Sequence, residues 1–161
     1  MIEPRVAEIA ENLLARQQWL AVAESCTGGL LAKTLTDLAG SSAWFERGVV
    51  TYSNAAKQAL LGVPATTIAQ HGAVSEATAR AMVSGLIDAA GVDWALAITG
   101  VAGPGGGTED KPVGTVWIAC AHKGGDCSVR CFRFDGDRAS VRLQSARMAL
   151  DILVDRLRHA G

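Results

Sequence analysis

Three side chains in the first sixty residues have the types and spacing for acyl transfer: Ser25, Tyr52 and Lys57. Ser25 sits in Ala23-Glu24-Ser25-Cys26-Thr27-Gly28-Gly29, between an apolar run at 19–23 and a helix-like segment at 30–38. That order reads as a strand, a small-residue turn and a helix. It presents a hydroxyl at a sheet end, near N–H groups that a helix start leaves unpaired. Acyl transfer needs such a pair of features, a reachable nucleophile and donors for an oxyanion. The N–H groups of Cys26, Thr27 and Gly28 are the nearest candidate donors. The same pattern also describes an ordinary tight connection, and the local sequence does not separate the two.

A serine nucleophile needs a base, and the three histidines are poorly placed. His71 falls in a turn, His122 in a hairpin, and His159 in the last turn of a terminal helix. Lys57 falls one turn into the helix that follows Tyr52-Ser53-Asn54. A lysine can take the proton if its surroundings favour the neutral amine; the alternative is a solvated helix lysine. Tyr52, the only tyrosine, closes a strand and reads as a proton relay or orienting hydroxyl. Ser53, four residues before Lys57, is a rival nucleophile, although it also suits a helix cap. Cys26 is another, because a thiol beside a helix start can have a lowered pKa.

Thr99 opens the loop Thr99-Gly100-Val101-Ala102-Gly103-Pro104-Gly105-Gly106-Gly107-Thr108. No Gly-Lys-Ser/Thr follows, so it is not a Walker loop. A strand rather than a helix follows, so it is not a dinucleotide fingerprint. It lies where α/β folds bind ligands, and Thr99, Thr108 and Lys111 are candidate contacts to a phosphate or ribose. Arg138 and Arg142, one turn apart near the start of the last helix, are positioned to clamp an anion or to pair with carboxylates.

The elements that must position these residues follow from periodicity. Helices are expected at 4–16, 28–38, 54–61 (capped by Ser53), 76–90 (capped by Ser75) and 138–159. Strands are expected at 20–24, 46–52 and 94–99, followed by a hairpin of 114–121 and 127–134. Strands that alternate with helices, then a hairpin, predict an α/β fold: a three-layer α/β/α sandwich with a mixed β-sheet. At 161 residues the expectation is a single domain, 1–161.

With 49% hydrophobic and 19% charged residues, the chain is globular rather than disordered. Fifteen Lys plus Arg against 16 Asp plus Glu give a net charge of -1, which argues against a nucleic-acid or membrane-surface partner. No apolar run is long enough for a membrane span and no signal-peptide pattern opens the sequence, so a cytoplasmic protein is expected. Cys26, Cys120, Cys127 and Cys131 form no C-x-x-C pair and have no paired histidines nearby, so no metal site is expected. Trp44 and Phe45 leave room for a homo-oligomeric interface.

Five ordered segments carry a resemblance. They are Ala23 to Gly29, Tyr52-Ser-Asn-x-x-Lys57, Gly72-Ala-Val-Ser75, Thr99-Gly-x-Ala-Gly-Pro-Gly-Gly-Gly107 and Lys111-Pro-Val-Gly-Thr-Val116. In this order the sequence resembles the C-terminal domain of the competence-damage-inducible protein CinA, over nearly its whole length. Standalone versions of that domain hydrolyse the carboxamide of nicotinamide mononucleotide, giving nicotinic acid mononucleotide and ammonia for NAD recycling. The resemblance implies no metal and no cofactor. It places the catalytic serine on Ser25, the tyrosine on Tyr52 and the lysine on Lys57. It also implies substrate contacts at Thr99 and at Gly100, Ala102, Gly103 and Gly105 of the loop, with the basic residue before the last helix on Arg138. The alternative is a catalytically inactive nucleotide-binding or competence-related regulatory module.

Overall fold

The computed structural model describes residues 2–160. Its elements, in chain order, are α1 (Glu3–Arg16), β1 (Leu20–Glu24), α2 (Leu30–Thr36), a 3-10 turn (Ser41–Ala43), β2 (Phe45–Val50), α3 (Asn54–Leu61), α4 (Ala65–His71), α5 (Glu76–Ala90), β3 (Trp94–Gly100), β4 (Thr115–His122), β5 (Cys127–Arg133) and α6 (Arg138–His159). The sheet order is β2-β1-β3-β4-β5. β1 runs parallel to β2 and β3, while β4 and β5 join as an antiparallel hairpin. The expected mixed α/β sheet is therefore present.

Strand alternation builds two unlike faces. Leu20, Val22, Leu96, Ile98, Ile118 and Cys120 point into a core closed by α1, α2 and α6. Ala21, Ala23, Ala95, Ala97, Ala119 and Ala121 point the other way, against Met82, Val83 and Leu86 of α5. A face of alanines lets α5 lie close to the sheet, with bulk supplied by the helix. α3 packs as tightly on α5: a Cβ at Gly85 would sit 1.8 Å from the Leu61 carbonyl oxygen. Gly85→Ala is expected to destabilise the fold by about 1–3 kcal/mol, read as a lower denaturant midpoint at unchanged slope.

Several elements differ from the expectation. α2 begins at Leu30, not 28, because Gly28 and Gly29 adopt φ of 58° and 105° in the turn before it. α4 was not expected: residues 65–71 form a helix behind Pro64, so His71 ends a helix instead of lying in a turn. Trp44 is 1% exposed and belongs to the core, which removes it from any interface. The caps were legible: Ser53 accepts from the Ala56 N–H, and Ser75 from that of Thr78. No helix among the described residues is long and apolar enough to cross a membrane.

Candidate active site

The parallel strands β1 and β3 end side by side, and the chain leaves each through a loop facing the same cavity. That cavity has a volume of about 290 Å³, and Ser25, Tyr52, Lys57, Thr99 and Arg138 are all among its lining residues. Ser25 follows the last residue of β1, and its N–H donates to the Ile98 carbonyl of β3 at 3.0 Å. Its backbone is thus an extension of the sheet, with the side chain at the rim.

Lys57 is brought there by α3. Ser53 caps that helix, which makes it a structural hydroxyl and not a rival for Ser25. Lys57 is 1% exposed, and its Nζ lies 3.0 Å from Ser25 Oγ, 2.9 Å from the Thr51 carbonyl and 3.3 Å from the Tyr52 carbonyl. Nζ donates to the two carbonyls and to Ser25 Oγ; a neutral amine in this shell would keep both carbonyl bonds and turn its lone pair to the Ser25 O–H. Among the described residues, Nζ forms no ion pair with a carboxylate. Burial holds the Lys57 pKa below the usual lysine value, with only Cys26 opposing it.

Tyr52 is placed differently from the relay expected of it. Tyr52 is 58% exposed, and its hydroxyl accepts from Arg138 Nη2 at 2.9 Å. Lys57 lies within direct hydrogen-bond reach of Ser25 Oγ. Arg138 Nη1 donates to the Gly103 carbonyl at 2.9 Å, which ties the glycine loop to the start of α6. Arg138 and Tyr52 therefore form one side of the cavity mouth, with guanidinium N–H groups to spare.

The loop residues Gly100, Ala102, Gly103 and Gly105 line the cavity, as do Asn54, Ala73 and Val74. Those last three were missed as site residues, although they lie in the Tyr-Ser-Asn-x-x-Lys and Gly-Ala-Val-Ser segments. Thr99 is buried and donates to the Ala73 carbonyl at 2.8 Å, joining the β3 end to the turn before α5. Gly103 has φ 83°, and a Cβ there would meet Val113 Cγ1 at 2.4 Å, so a side chain would be strained and would displace Val113. Thr108 and Lys111 lie elsewhere: Lys111 Nζ donates to the His71 carbonyl at 2.8 Å, and its N–H to Thr108 Oγ1 at 3.0 Å.

The turn after Ser25 also departs from the simple picture. The α2 N–H groups are not open to a ligand, because the buried Glu24 carboxylate accepts from Leu31 at 2.8 Å and from Ala32 at 2.9 Å. Gly28 N–H donates to the Ser25 carbonyl at 3.1 Å. Among the described residues, the N–H groups of Cys26 and Thr27 have no backbone acceptor. Cys26 lines the cavity, whereas Thr27 and Gly28 are not among its lining residues. Burial pushes the Cys26 thiol up to about 11, the opposite of an activated cysteine. Arg142 turns away from Arg138 and donates to the Thr27 carbonyl at 3.0 Å, so the two arginines do not form one clamp.

The chain is similar to known proteins over most of its length. Residues 2–157 match the family described as the CinA C-terminal domain. The chain is 54% identical over 143 residues to the nicotinamide-nucleotide amidohydrolase PncC of Enterobacter agglomerans, covering 89% of this chain and 87% of that protein. It is 58% identical over 138 residues to a CinA-like protein of Geobacter sulfurreducens, covering 86% of this chain but 33% of that longer protein. The crystal structure of the competence damage-inducible protein A from Klebsiella pneumoniae superposes with a TM-score of 0.95 at 42% identity, covering 99% of both chains.

Proposed function

The chain belongs to the CinA C-terminal domain family, and from that premise we propose that it is a nicotinamide-nucleotide amidohydrolase working through Ser25 and Lys57. It hydrolyses the carboxamide of nicotinamide mononucleotide to nicotinic acid mononucleotide and ammonia, returning the pyridine ring to NAD synthesis. The observation that carries the mechanism is the buried 3.0 Å contact between Lys57 Nζ and Ser25 Oγ. The substrate assignment rests on relatives such as the amidohydrolase of Enterobacter agglomerans, matched along 87% of its length.

In this mechanism neutral Lys57 takes the Ser25 proton as Oγ attacks the amide carbon. The oxyanion is held by N–H donors of the turn, of which Cys26 faces the cavity. Collapse of the tetrahedral intermediate breaks the C–N bond, and the Lys57 ammonium returns a proton to the leaving nitrogen. Ammonia departs and leaves an acyl ester on Ser25. Water, deprotonated by the regenerated amine, attacks that ester; Lys57 returns the proton to Ser25 Oγ as the C–O bond breaks, and the acid is released. Every proton is handled by Lys57, which needs no histidine.

Arg138 is the phosphate-side residue of this proposal. Tyr52 and Gly103 hold its guanidinium at the mouth, away from the reacting pair. Arg138→Met is expected to raise KM for nicotinamide mononucleotide about 10- to 100-fold, with a much smaller change in kcat. Ammonia release tests the assignment, with nicotinamide mononucleotide compared against free nicotinamide. A strong preference for the mononucleotide is expected. A preference for the free base would remove the phosphate, and Arg138 with it, from the account.

A further inference from the structure

We infer that Arg142 is a positioning residue for the oxyanion donor, acting on the Cys26 N–H through two planar peptide groups. This rests on the proposed role of Ser25 and extends it to a side chain outside the cavity.

Arg142 Nη2 donates to the Thr27 carbonyl at 3.0 Å. The approach depends on glycine at 28, where a Cβ would stand 3.0 Å from the same nitrogen. A trans peptide points its C=O and its N–H in opposite directions. Holding the Thr27 carbonyl toward Arg142 therefore aims the Gly28 N–H back into the turn, where it donates to the Ser25 carbonyl at 3.1 Å. The next peptide repeats the logic. With the Ser25 carbonyl fixed on Gly28, the Cys26 N–H is directed away from the turn. Ser25 and Cys26 are the two turn residues that line the cavity. The Cys26 N–H has no backbone acceptor among the described residues and hydrogen-bonds its own thiol, a weak acceptor that a developing oxyanion can displace.

Two further features fit. The Arg142 charge reaches this turn, because it is among the groups that lower the Cys26 thiol against its burial. Glu24 fixes the other end by occupying the N–H groups of Leu31 and Ala32. The Thr27 carbonyl also accepts from the Leu30 N–H at 3.1 Å, so losing Arg142 loosens the turn without releasing it.

The test is steady-state kinetics of Arg142→Met and Arg142→Lys on nicotinamide mononucleotide, with thermal unfolding of each. Loss of one oxyanion donor lowers kcat by about 10²- to 10³-fold. Loosening it should cost about tenfold or more in kcat for Arg142→Met, at KM within about twofold of wild type. Arg142→Lys, which keeps a cationic donor, should recover most of that loss. Unchanged kcat in a folded Arg142→Met would overturn the inference. So would a loss shared by both variants that follows only their melting temperatures. If Arg142→Met does not fold, Arg142→Gln supplies the uncharged comparison. Failure of the underlying reading is separate: it would show as turnover by Ser25→Ala, whereas failure of this inference leaves Ser25→Ala inactive.

Discussion

Ser25→Ala is expected to release ammonia from nicotinamide mononucleotide about 10⁴-fold more slowly than wild type, with its unfolding temperature nearly unchanged. The loss is large because nucleophile and base act as a unit, and removing one removes nearly the whole covalent route. The fold should tolerate the change because Ser25 Oγ contributes one side-chain hydrogen bond, to Lys57. Lys57 would keep the Thr51 and Tyr52 carbonyls as partners. No neighbour is ready to substitute. The Cys26 thiol, pushed up to about 11, is almost entirely protonated at neutral pH. Ser53 is committed to the α3 cap.

Lys57→Met should be comparably inactive, and its pH behaviour carries extra information. The amine must be neutral to accept the Ser25 proton, so wild-type kcat/KM should rise with pH through the Lys57 pKa and then level off. Burial places that limb below the ordinary lysine range, since the pKa is lowered from 10.5. Stability follows the same titration. Between the lowered folded pKa and 10.5, the unfolded chain binds the proton and the folded chain does not. Wild type should therefore gain stability relative to Lys57→Met as pH rises across that window. The relative gain ends above 10.5, where both states are neutral. Denaturant titrations of the two proteins over that range check the sign. A wild-type advantage that shrinks with rising pH would mean that Lys57 is held as a charged ammonium.

The residues that bear on chemistry were legible to different degrees, for physical reasons. Ser25 and Lys57 stand at element junctions with strong local signals: an apolar strand before a glycine pair, and a serine cap before a helix. α6 and α3 match residue for residue: Asp137 and Ser53 cap their starts, and Gly62 ends α3. α4 was hidden because it has only 7 residues, is rich in threonine and lacks a side-chain cap. Its order comes from packing on α5, which no local pattern reveals. Trp44 looked like a surface aromatic beside small residues, yet the core behind α2 absorbs it. Tyr52 is expected as a relay or orienting hydroxyl because it closes a strand near Lys57 and matches the tyrosine of the resembled family. Its hydroxyl points outward to Arg138, a partner 86 residues away that spacing cannot supply. Glu24 is the clearest omission. It lies inside the quoted motif, but its carboxylate caps N–H groups seven and eight residues on, a link made only by the turn between them.

The most direct measurement of the central claim is mass spectrometry of the enzyme quenched in acid during turnover of nicotinamide mononucleotide. The acyl portion of the substrate is expected ester-bound to Ser25 and absent from Ser25→Ala. An acyl group on Cys26 or Ser53 would contradict that claim.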